Sequence, residues 1–71
     1  MGYWKTIVVE GKPKYWDKPD CHSRLKPDGT EAIIEFEGSR EDYDEVNQDP
    51  DCQELTRTEA GLLARSWNEE T

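Results

Sequence analysis

The chain has 71 residues, 32% of them apolar and 37% charged, with a formal net charge of −8. A domain this short buries only about 60% of the surface its unfolded chain exposes, so it builds one thin core, and a field of this sign repels nucleic acid and membrane surfaces while steering the protein toward basic partners. The longest apolar run, Ile7-Val8-Val9, falls far short of the ~20 residues of a membrane span, and Met1-Gly2-Tyr3-Trp4-Lys5 does not open as a signal peptide, so a soluble cytoplasmic protein with reduced thiols is expected.

Tyr3 to Glu10 reads as the first strand, because Ile7, Val8 and Val9 are β-branched and Trp4, Thr6 and Val8 share one face at period two. Gly11-Lys12-Pro13 interrupts it. Lys14-Tyr15-Trp16 follows as a short second strand or an aromatic loop, and residues 17–30 read as loop, ending in a turn at Lys26-Pro27-Asp28-Gly29-Thr30. Glu31 to Glu37 is the next strand. Ala32, Ile34 and Phe36 form its apolar face, with Ile33, Glu35 and Glu37 on the other.

Ser39 is placed to cap a short helix through Val46, with Asp42 as the reciprocal partner of a capping box. The clearest helix starts either at Asp49-Pro50 or at Thr56, where Glu59 stands three residues on, and runs to Trp67. Leu55, Leu62, Leu63 and Trp67 form its apolar stripe, in which Gly61 would permit close approach to a sheet. The expected architecture is a single α+β domain over residues 1–71. It consists of a small antiparallel sheet of two to four strands packed against a C-terminal helix. Three Trp, three Tyr and one Phe supply area that the few aliphatic residues lack.

Signals for catalysis are weak. Asp20-Cys21-His22 with the distant Cys52 lacks the two-to-four-residue ligand spacing of a structural zinc site, and neighbouring Cys21 and His22 would point apart on an extended segment. The seventeen acids make carboxylate pairs expected by chance, and no phosphate loop is present. No cofactor or metal is expected, and the chain reads as a non-enzyme.

Acidic density is what remains. Residues 1–30 carry six Lys or Arg against four acids, for +2, whereas residues 31–71 carry three Arg against thirteen acids, for −10. Glu31 to Glu54 holds ten acids and one Arg. Were that stretch helical throughout, it would span roughly 36 Å with one charge per ~4 Å, close to the ~3.4 Å spacing on one DNA strand. The ordinary alternative is a solvated acidic face. Clustered like charges nevertheless destabilise a thin core more than dispersed ones would, which favours a use for the cluster.

The expected partner-binding residues are Glu35, Glu37, Glu41, Asp42, Asp44, Glu45, Asp49 and Asp51. Tyr15 and Trp16, flanked by Pro13 and Pro19, are a second candidate as exposed interface anchors.

In its short length, acidity, small sheet, single clear helix and lack of a catalytic motif, the whole chain resembles in type the small inhibitors of phages and mobile elements, including anti-CRISPR proteins and DNA mimics. The resemblance implies a protein of the host cytoplasm, monomeric or homodimeric, that occupies the basic DNA-binding or PAM-reading surface of a CRISPR effector complex. The alternative is a small adaptor or oligomerising regulator that binds another protein through aromatic, helix or sheet-edge contacts.

Overall fold

The computed structural model describes residues 1–69. Strand β1 spans Gly2–Val9 and turns back through Glu10 and Gly11, at φ 54° and 82°, into the two-residue strand β2, Lys12–Pro13. Two consecutive positive φ values match the twist of a tight hairpin. The interruption expected at Gly11-Lys12-Pro13 is therefore a turn followed by a strand partner.

A second strand absent from the sequence reading, β3 at His22–Leu25, lies inside the stretch taken as loop. It pairs antiparallel with β4, Glu31–Phe36. Helix α1 covers Arg40–Gln48, strand β5 covers Cys52–Leu55, and helix α2 covers Arg57–Glu69. The fold is α+β, with a five-stranded antiparallel sheet in the order β2-β1-β4-β3 and β5 against the first half of β1.

Register assigns the faces, because residues directly opposite one another in an antiparallel pair point to the same side. Trp4 lies opposite Ile34 and Glu54, and Thr6 opposite Ala32 and Cys52. This face is covered by α1. Trp4, Ile34, Phe36 and Val46 form its buried cluster, and the Trp4 and Phe36 rings stack at 4.9 Å with Tyr43 edge-on to both. The buried indole N–H donates to Asn47 Oδ1 at 2.7 Å, so the largest side chain in the core leaves no polar atom unmet.

On the opposite face lie Tyr3, Ile33 and Leu55, and α2 covers them through Ala60, Leu63, Ala64 and Trp67. Helices thus flank both sides of the sheet. The C-terminal helix takes the side that the alternation of β4 marked as mostly acidic. Of the expected stripe, Trp67 is buried and Leu63 partly so. Leu62 is 62% exposed, and Leu55 belongs to β5.

Both capping boxes form. Ser39 and Asp42 bond reciprocally at the start of α1, and Thr56 and Glu59 do the same ahead of α2. The alternative start at Asp49-Pro50 is instead the turn into β5, where Asp49 Oδ1 accepts from the Asp51 N–H at 2.9 Å.

Candidate functional site

The expected acidic array is not linear. α1 has nine residues, about 13.5 Å of helix, and the chain reverses on either side of it. The charge spacing estimated for one continuous helix therefore does not apply. Glu35 is separated from the rest altogether: it lies opposite Tyr3 and His22, on the α2 side of the sheet.

Of the remaining acids, Glu37 lies in the segment leading into α1, Glu41, Asp42, Asp44 and Glu45 lie on the helix, and Asp49 and Asp51 lie in the turn after it, where the basic first half of the chain meets them. Lys18 Nζ lies 3.1 Å from both Asp42 Oδ1 and Glu45 Oε1. Lys14 Nζ reaches Asp49 Oδ2 at 2.5 Å and Asp51 Oδ2 at 3.3 Å. Lys14 supplies positive charge at the C-terminal end of α1, whose last turn has no basic residue of its own.

Tyr15 completes the clasp. Its hydroxyl donates to Asp49 Oδ2 at 2.7 Å, and its ring packs against the aromatic cluster. The backbone there has φ 63°, a conformation a bulky residue holds only when its surroundings fix it. The hydrogen bonds from Lys14 and Tyr15 lower the Asp49 pKa to about 2. Burial, then the bond to Asp49, raises the Tyr15 hydroxyl to about 12. Asp42 is likewise lowered, first by Lys18 and then by the cap at Ser39.

Tyr15 and Trp16 therefore do different things. Tyr15 turns inward as a structural tie, which corrects its assignment as an exposed anchor. Trp16 is 50% exposed, with the Lys12 ammonium 4.3 Å from its ring centroid. Of the eight acids expected to bind a partner, Asp42, Glu45, Asp49 and Asp51 are held by the chain's own lysines. Glu37, Glu41 and Asp44 are exposed and form no hydrogen bond or ion pair among the described residues. The lysine clasp was missed in the sequence. Its only trace was two lysines four apart, Lys14 and Lys18, flanking a tyrosine.

The cysteines do not meet. Cys52 is opposite Thr6 on one side of β1, while Cys21 precedes β3 at the far edge. Both thiols are free, and each packs at the margin of the aromatic cluster beneath α1. Among the described residues no cluster of three ligating side chains occurs, and no helix is long and apolar enough to cross a membrane.

No protein family, curated protein or solved structure matches this chain. Its functional reading rests on the chemistry of its surfaces.

Proposed function

We propose that the chain is a non-enzymatic inhibitor that lays the outer face of α1 on a basic surface of a nucleic-acid-binding protein. A CRISPR effector complex is the target its resemblance implies. One observation carries the reading: Glu37, Glu41 and Asp44 stand exposed with no cation of their own, while lysines occupy the neighbouring carboxylates. Such carboxylates are available to arginines and lysines that otherwise hold phosphates. Trp16, half-exposed on the loop whose lysines clasp α1, offers a separate apolar contact.

The test is capture of partners from host lysate at low salt with the wild type and with Glu37→Lys/Glu41→Lys/Asp44→Lys. Recovery of a nucleic-acid-binding complex that DNA competes away, lost in the variant, supports the reading. Equal recovery by both chains rejects it. Glu37 and Asp44 are exposed and unpartnered among the described residues, so reversing each should change stability by no more than ~0.5 kcal/mol, and Glu41→Lys, in the first turn of α1, by up to ~1 kcal/mol.

A second reading has its own observation. β3 is a sheet-edge strand whose four residues are all exposed, and an unpaired edge can recruit a strand from another chain. A dimer mass in solution that reverts to monomer on Ser23→Pro would favour the adaptor alternative.

A further inference from the structure

Between α2 and the outer strands of the sheet is an open cleft of about 310 Å³. It lies on the side of the sheet opposite α1 and takes no part in the proposed inhibitory surface. Its size is at the lower end of the roughly 300–1,000 Å³ typical of small-molecule sites. Ile33, Ala60 and Ala64 give it an apolar floor, and Arg24, Glu35 and Arg57 stand around it.

The lining charge is the reverse of the protein's. Two arginines against one glutamate make +1, in a chain of net charge −8. Neither guanidinium has a carboxylate within ion-pair distance among the described residues. Among those residues Arg24 bonds the neutral side-chain oxygen of Asn68 alone, and Arg57 has no hydrogen bond or ion pair. Glu35 is also without a hydrogen bond or ion pair among the described residues. Among the described residues two arginines thus stand without a carboxylate partner at one cavity, while the ion pairs gather elsewhere.

Space at the cleft is left open by the residue at position 61. A Cβ added to Gly61 would meet nothing within 4 Å, so the glycine is not there to allow close packing on the sheet. That corrects the role expected for it. The position borders a void that a larger side chain would fill.

We infer that this cleft binds a small organic anion with a flat apolar body and a hydrogen-bond donor. The body would rest on Ile33, Ala60 and Ala64, the anionic group would pair with an arginine, and the donor would bond Glu35. Guanidinium forks match planar carboxylates, and a carboxylate with free lone pairs selects an N–H or O–H over a purely apolar group.

The experiment is an NMR titration of the full chain with three probes: 4-aminobenzoate, benzoate and aniline. 4-Aminobenzoate should shift the amides of Ile33, Ala60, Gly61 and Ala64, and bind at least about fivefold more tightly than either probe that lacks one group. Arg57→Gln should weaken both carboxylate probes roughly tenfold, the loss of a charge-assisted bond, and leave aniline unchanged. Gly61→Leu, which fills the void from an exposed helix position, should abolish the shifts. The inference is overturned if 4-aminobenzoate shifts no cleft amide up to its solubility limit. Equal affinity for all three probes, or undiminished binding by Gly61→Leu, would also overturn it.

Discussion

The two faces of the sheet are built on different terms. Beneath α1, three aromatic rings interlock with Ile34 and Val46, the indole N–H is satisfied, and Lys14, Tyr15 and Lys18 tie the loop to the helix from outside. Beneath α2, Trp67 packs with Ile33, Ala60 and the partly buried Tyr3, Leu55, Leu63 and Ala64, and an open cleft remains. A chain of this length cannot fill both sides equally. Stability is concentrated where the large rings are, and the thinner side is where space for a ligand survives.

The largest effect should come from Trp4→Ala. The side chain is fully buried at the centre of the aromatic cluster, and such truncations cost about 3–5 kcal/mol. A domain of this length has roughly 4–10 kcal/mol in all. Urea unfolding should show a midpoint far below the wild type's. A well-formed transition with a midpoint near the wild type's would mean that the α1 face is not the main source of stability.

Trp67→Ala sharpens the comparison. The residue is 3% exposed but sits where packing is already incomplete, so we expect about 3 kcal/mol, the low end of the range for tryptophan. Hydrogen exchange should show α2 amides losing protection while β1 and β4 keep theirs. If both faces lose protection together, the domain is a single cooperative unit and the division between them fails.

These differences were partly visible in the sequence. The period-two pattern of β1 and β4 and the Ser39/Asp42 and Thr56/Glu59 caps were legible because they are local devices, set by neighbours within four residues. β3 was not, because an edge strand reading His22-Ser23-Arg24-Leu25 buries nothing and exists through its pairing with β4. β5 was not legible for the same reason, and the earlier of the two helix starts would have taken it in: Cys52 to Leu55 is held by β1. At the candidate site the acids were plain to see. Their neutralisation was not, since the Lys14–Asp49 and Lys18–Asp42 pairs join residues more than twenty apart. Nor could composition tell that Tyr15 and Trp16 part company.

The clasp gives a smaller effect with a pH signature. Tyr15→Phe removes a hydrogen bond to a carboxylate, about 1.5 kcal/mol at neutral pH. Because the native Asp49 pKa lies near 2, below its ordinary value of 3.8, this contribution is fully present above about pH 4 and fades as pH falls toward 2. Urea midpoints for wild type and variant should therefore converge over that window. At the alkaline end the raised Tyr15 pKa predicts wild-type stability declining from about pH 10 to pH 12, a decline reduced in the variant. Parallel curves at every pH would place the Asp49 interaction elsewhere.

The smallest effect runs the other way. Gly61 lies within the helix α2, where glycine is about 1 kcal/mol less favourable than alanine, and a Cβ there meets no neighbour within 4 Å. Gly61→Ala should accordingly raise stability by up to ~1 kcal/mol, seen as a higher urea midpoint with an unchanged slope. The slope matters, because a gain arising from a more compact unfolded chain would alter it. A gain of this size would show that the α2 face keeps its cleft despite an available route to greater stability. No gain, or a loss, would mean that α2 approaches the sheet more closely in solution, and the two faces would then differ in composition but not in packing.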